Sequence, residues 1–109
     1  MVKAKVIKNE DYLEKVFELK VMKKKPCWIG RSSGKKYKVN GISLSKDLEV
    51  STTHGKFELQ NDGNVYYVDT GSTNGSVFDG QKVKQDVPHM IKDKSILLVG
   101  ATTFELTVS

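Results

Sequence analysis

Residues 57–78 read FELQNDGNVYYVDTGSTNGSVF, a stretch in which short apolar-rich segments alternate with turns rich in Asn, Asp and Gly. The NDGN turn at 61–64 joins FELQ to VYYVD. It predicts a β-hairpin, because these residue types accept the positive φ angles of tight turns. A second polar turn, TGSTNG at 70–75, separates VYYVD from SVF. The stretch therefore predicts antiparallel strands joined by short loops.

The same pattern continues on both sides of this stretch. Apolar residues recur at every second position in three further segments, which indicates strands with one buried face. These residues are Val2, Ala4 and Val6, then Phe17, Leu19 and Val21, and finally Phe104, Leu106 and Val108. Residues 10–19 (EDYLEKVFEL) also fit a helical spacing, but we predict a strand there, preceded by a turn. About ten short strands with no convincing helix predict an all-β antiparallel sandwich or barrel.

Length and composition limit the class of protein. A chain of 109 residues predicts a single domain over residues 1–109. The longest aliphatic run, 96–99, is far below the ~20 residues of a bilayer span, so we expect no membrane association. The single cysteine, Cys27, excludes an internal disulfide, and the basic N-terminal segment lacks the apolar core of a secretory signal. We therefore expect an intracellular protein, nuclear or cytoplasmic.

Positive charge is concentrated in the first third of the chain. Residues 1–40 hold twelve Lys or Arg against four acids, whereas residues 41–109 hold six against nine. Such runs are most often solvated loops or edges. They would also attract a polyanion, which could be a nucleic acid, an acidic protein or a phosphorylated one.

Neither a metal site nor a catalytic centre is indicated. His54 and His89 are 35 residues apart, and with a single cysteine they form no metal-ligand spacing. Ser51 lies three residues from His54, but no nucleophile elbow or oxyanion glycine pattern surrounds it. The segment GRSSGKK at 30–36 is mis-spaced for a nucleotide-binding loop. We expect no enzyme activity, no small-molecule substrate, no metal and no cofactor.

Three segments, in order, carry a specific pattern: IGRS at 29–32, EVSTTHGKF at 49–57 and DTGSTNGSVFDGQKV at 69–83. With them the chain resembles the forkhead-associated (FHA) domain over essentially its whole length. The resemblance implies an FHA-like β-sandwich of about eleven mostly antiparallel strands that binds phosphothreonine peptides through loops at one end. The implied partner is a phosphothreonine-containing protein or peptide in a signalling pathway.

The resemblance also implies roles for individual residues. It assigns phosphopeptide binding to Arg31, Ser51, Thr52, Thr73 and Asn74, and structural support of the site to Gly30, His54, Asp69 and Gly75. The chemistry fits, because a guanidinium fork matches phosphate oxygens and hydroxyl groups can add further hydrogen bonds. The Asn74 amide, with both a donor and an acceptor, suits the main chain of an extended peptide.

Some positions depart from the family pattern or tune it. Thr52 stands where the family commonly has Arg, Lys or Asn, and Lys35 or Lys38 could supply the missing positive potential. Glu49 is expected to disfavour an acidic residue at the third position after the phosphothreonine.

Two other functions stay open. One is nucleic-acid binding through the N-terminal lysines, although few exposed aromatics interleave with those lysines to stack on bases. The other is phosphate-independent binding of a partner by an FHA fold.

Overall fold

A computed structural model describes residues 1–109 and contains eleven strands and one short helix. In chain order the elements are β1 Val2–Lys8, β2 Val16–Leu19, β3 Cys27–Gly30, α1 Lys35–Lys38, β4 Ile42–Ser43, β5 Gly55–Leu59, β6 Val65–Asp69, β7 Ser76–Phe78, β8 Gln81–Lys82, β9 His89–Met90, β10 Ser95–Val99 and β11 Thr102–Val108. The predicted hairpin at 57–69 is confirmed as β5–β6, with Gly63 of its turn at φ +81°.

The strands form two sheets. The six-stranded sheet has the order β2-β1-β11-β10-β7-β8, and the five-stranded sheet has the order β4-β3-β5-β6-β9. Every pair is antiparallel except β3 with β4. The predicted all-β sandwich of about eleven mostly antiparallel strands is confirmed.

The expectation of a chain without helix is wrong at α1. This single turn, KKYK, has no side-chain cap and carries one buried residue, Tyr37. The Tyr37 hydroxyl is hydrogen-bonded to Thr53. A helix of four residues has little intrinsic stability. We infer that tertiary contacts of Tyr37 hold it, and a lysine-rich sequence gives no sign of these. The strand predicted over residues 10–19 is confirmed only at its end, as β2, because residues 10–14 form a turn.

The core lies between the sheets and follows the predicted alternation. Nineteen buried apolar residues from both sheets form one cluster. Val2, Ala4 and Val6 are completely buried in β1, as are Phe104 and Leu106 in β11. Two positions depart from the alternation: Phe17 is half-buried against the core, and Val108 at the far end of β11 is 38% exposed.

The two ends of the sandwich differ. At one end, which we call the loop pole, β3 ends beside the start of β5 and the end of β6, because Ile29 pairs with Gly55 and Gly55 with Asp69. At the other end, the terminal pole, the Met1 amino group donates to the Ser109 carbonyl at 2.8 Å. No helix in the structure has the length and apolarity to cross a bilayer.

Candidate functional site

Arg31, the only arginine of the chain, is the first residue after β3 at the loop pole. Its amide donates to the Ser51 carbonyl at 2.9 Å, and its Nε donates to the Val50 carbonyl at 3.0 Å. The structure contains two ion pairs, Lys3–Glu18 and Lys56–Glu58, so the exposed Arg31 side chain has no carboxylate partner. One edge of the guanidinium is therefore anchored, and its terminal N–H groups have no partner in the protein.

Ser51 and Thr73 bring two loops together. The Ser51 hydroxyl accepts a hydrogen bond from the Thr73 amide at 2.9 Å. This leaves the Ser51 proton free to be donated, and the Thr73 hydroxyl has no hydrogen-bond partner. Asn74, the next residue, donates its side-chain amide to the Glu49 carbonyl at 2.9 Å. Two hydrogen bonds thus join the 70–75 loop to residues 49–51.

These residues enclose a small cleft, which we call the Arg31 cleft. It has a volume of about 170 Å³, and the residues that line it are Arg31, Leu48, Glu49, Val50, Ser51, Thr73 and Asn74. Four of the five residues assigned to phosphopeptide binding are therefore brought together. Thr52 does not line the cleft: it is exposed beside it, and its carbonyl accepts the Ser32 amide at 3.3 Å.

His54 connects the segment around Ser51 to the 70–75 loop from the buried side of both. It is completely buried; its Nδ1 accepts the Ser51 amide at 3.1 Å, and its Nε2 lies 2.8 Å from the Gly75 carbonyl. Because Nδ1 accepts, the ring proton is on Nε2 and is donated to Gly75. Burial lowers the pKa of His54, and this outweighs the opposing effects of the Gly75 carbonyl and of the Asp69 and Asp47 carboxylates. The imidazole is therefore held neutral.

Asp69 shapes the start of the 70–75 loop. Its carboxylate accepts the amides of Gly71 and Ser72, both at 2.9 Å, and the hydroxyls of Ser72 at 2.6 Å and Ser76 at 2.7 Å. Burial alone would raise the pKa of Asp69, but the hydrogen bonds from Ser72, Ser76 and Gly71 together hold it below its usual range. The Tyr67 hydroxyl donates to Ser76 and extends this network into the core.

Two glycines meet different requirements. A Cβ atom on Gly30 would lie 2.1 Å from the Thr52 carbonyl oxygen, so the close approach of β3 to residues 51–53 requires glycine there. Gly75 has φ +79° with open space around it, so its requirement is one of backbone conformation.

Asp47 is a supporting residue that the sequence does not reveal. It is buried, and its carboxylate accepts the Glu49 amide at 3.1 Å, the Ala101 amide at 2.9 Å and the Thr102 hydroxyl at 2.7 Å. These bonds tie the segment that carries Glu49 and Ser51 to the turn between β10 and β11. An isolated Asp in a polar loop carries no signal of such burial.

The lysines proposed to tune the site lie elsewhere. Lys35 begins α1, and Lys38 at its end lines a different, larger cavity. Neither lines the Arg31 cleft. No group of His, Cys, Asp or Glu residues has a geometry that could hold a metal ion.

Comparison with known proteins identifies the fold and the family. A sequence model described as FHA domain matches residues 27–100. The FHA domain of the CT664 protein from Chlamydia trachomatis is 26% identical, with a TM-score of 0.76 and coverage of 99% of this chain and 97% of that one. An Arabidopsis thaliana FHA domain gives a TM-score of 0.81 at 22% identity, covering 99% and 86% of the two chains.

The N-terminal FHA domain of Saccharomyces cerevisiae Rad53p, solved in complex with a phosphothreonine peptide, gives a TM-score of 0.77 at 18% identity, with coverage of 99% and 93%. No curated protein matched the sequence. The family match covers more than half of the chain, and it includes the strands and loops that build the Arg31 cleft. The chain belongs to the FHA domain family.

Proposed function

We propose that residues 1–109 form one phosphothreonine-dependent binding module that performs no chemistry and acts on an intracellular phosphoprotein. The observation that carries the proposal is the Arg31 cleft, where a guanidinium without a carboxylate partner lies beside the Ser51 hydroxyl and the exposed Thr73 and Asn74. A phosphate group is its natural complement, since it carries roughly −1.5 to −2 charges at pH 7.

Each group has a distinct task in this proposal. The terminal N–H groups of Arg31 donate to phosphate oxygens as a fork, a charge-assisted contact that lysine does not reproduce. The Ser51 hydroxyl adds a donor, because the hydrogen bond that it accepts from Thr73 leaves its own proton available. Thr52 is a weaker member, since it lies outside the cleft.

Asn74 would hold the peptide main chain. One of its amide protons is committed to the Glu49 carbonyl, which fixes the side chain across the cleft. Its other proton and its Oδ1 have no partner in the protein, so they can pair with a backbone C=O and N–H of an extended peptide. The phosphothreonine peptide bound by the Rad53p FHA domain supports this class of ligand.

The proposal is tested by titrating one phosphothreonine peptide and its unphosphorylated twin against the wild-type domain and Arg31→Ala. We expect only the phosphopeptide to bind the wild type. Loss of the charge-assisted contact should cost about 2 to 3 kcal/mol of binding free energy, which weakens a micromolar Kd by about 30- to 150-fold. Isothermal titration calorimetry gives both affinities.

Lys24→Ala is the matched control, because it also removes one positive charge but lies just before β3, at the end of that strand opposite Arg31. It should bind the phosphopeptide as the wild type does. Equal affinity of the wild type for both peptides would refute phosphate dependence. If Lys24→Ala weakens phosphopeptide binding as much as Arg31→Ala does, Arg31 contributes only through the net charge of the domain.

A further inference from the structure

A second cavity is lined by residues of β2 and β4, the edge strands of the two sheets, and of neighbouring loops, and it is larger than the Arg31 cleft. Its volume is about 550 Å³, compared with about 170 Å³ for the cleft. We call it the lysine cavity, and the residues that line it are Asp11, Tyr12, Lys15, Phe17, Tyr37, Lys38, Gly41, Ser43, Ser45 and Lys46. They come from the β1–β2 loop, β2, α1 and the segment around β4.

The lysine cavity has an excess of positive charge. Lys15, Lys38 and Lys46 line it, against a single acid, Asp11. None of the three lysines belongs to either ion pair of the structure. Lysines that line a concave surface without carboxylate partners raise the local concentration of anions.

Neutral hydrogen-bond donors accompany the charge. The Tyr12 hydroxyl accepts the Lys46 amide at 2.7 Å, so its own proton remains available. The exposed Ser45 hydroxyl has no partner in the protein. Ammonium and hydroxyl donors together suit an oxyanion, either phosphate or carboxylate.

The lysine cavity and the Arg31 cleft are neighbours along one segment. Ser45 and Lys46 line the cavity, and Leu48 and Glu49 line the cleft. These four residues are exposed, so the rim between the two sites faces solvent. Five Cα–Cα steps of about 3.8 Å place Lys46 at most about 19 Å from Ser51, the reach of about six extended residues.

We propose that the lysine cavity binds anionic side chains of the same phosphopeptide, within about six residues of its phosphothreonine. The inference rests on the proposed function, because the peptide held in the Arg31 cleft delivers the second group. A second phosphate and a run of Asp or Glu share the required chemistry. The domain would then prefer peptides that are acidic or multiply phosphorylated on one side.

The experiment compares a singly phosphorylated peptide with neutral flanks to peptides that carry one additional anion, scanned from six residues before to six residues after the phosphothreonine. In one set the anion is phosphoserine, and in the other it is Glu. The two sets distinguish binding of a second phosphate from binding of a carboxylate. Fluorescence anisotropy should show about tenfold tighter binding at the positions that reach the cavity. At the third position after the phosphothreonine, Glu49 should instead make an acid unfavourable.

The readout is the ratio of anion-flanked to neutral-flanked affinity, measured for the wild type, Lys15→Gln/Lys46→Gln and the control Lys23→Gln/Lys24→Gln. The control loses the same charge before β3, at the terminal pole. The advantage should disappear in the first variant and persist in the control. No advantage at any position, or equal loss in both variants, overturns the lysine cavity as a site. Failure of every phosphopeptide to bind would instead refute the proposed function.

Discussion

At the scale of single residues, His54 makes the stability of the site depend on pH. Burial lowers its pKa in the folded state below the value of about 6.5 in the unfolded chain. The unfolded state therefore takes up the proton first. The stability that neutral His54 provides is complete above about pH 6.5 and is lost as the pH falls below it, by at most about 1.4 kcal/mol per pH unit. Urea denaturation at pH 7.5, 6.5, 5.5 and 5.0 measures the slope.

Two variants separate this effect from other titrations. His54→Gln removes the titrating ring and should flatten the slope between pH 6.5 and 5.0, whereas His89→Gln leaves His54 in place and should keep it. Asp69, whose pKa is lowered, loses its contribution only below about pH 4 and does not interfere. An unchanged slope in His54→Gln would contradict the account.

At the scale of elements, the end of β3 is the contact on which the Arg31 cleft depends. Gly30→Ala places a methyl group 2.1 Å from the Thr52 carbonyl, so residues 51–53 must move away from the strand. We expect a loss of about 3 kcal/mol in unfolding free energy and a larger loss of phosphopeptide affinity, because Ser51 moves with that loop. Chemical denaturation and calorimetric titration of the variant measure the two effects.

Gly63→Ala is the control for this element. It lies in the β5–β6 turn at φ +81° with no atom near the position of a Cβ, and that turn is at the terminal pole. It should lower the free energy of unfolding by about 1 to 2 kcal/mol through backbone strain alone and leave peptide affinity unchanged. If both variants bind peptide as the wild type does, the packing of β3 against residues 51–53 does not control the cleft.

The elements also show what sequence reasoning can reach. The hairpin at 57–69 and the buried face of β1 follow from local rules, because turn residues and period-two alternation act within a few positions. Helix α1 and the buried Asp47 do not, since their stabilising partners lie elsewhere in the sequence: Thr53 for Tyr37, and residues 101–102 for Asp47. The meeting of residues 49–51 with the 70–75 loop follows from the resemblance to the FHA domain. Local sequence patterns alone do not predict it.

At the scale of the whole molecule, one core cluster joins the two sheets, and we expect residues 1–109 to unfold as one cooperative unit. Trp28, the only tryptophan, lies on β3, so its fluorescence reports on the five-stranded sheet. Far-UV circular dichroism reports on both sheets. The two thermal transitions should coincide, with an enthalpy of about 75 kcal/mol for a chain of this length. Separate midpoints would indicate that the sheets melt independently.

The pairing of Met1 with Ser109 has a consequence for attachment. The Ser109 amide donates back to the Met1 carbonyl at 2.9 Å, so both backbone ends emerge side by side, away from the Arg31 cleft. A linker, a surface tether or a fluorescent reporter joined to either end would leave the molecule on the side opposite to the Arg31 cleft. The proposed binding surface would then face outward from whatever carries the domain.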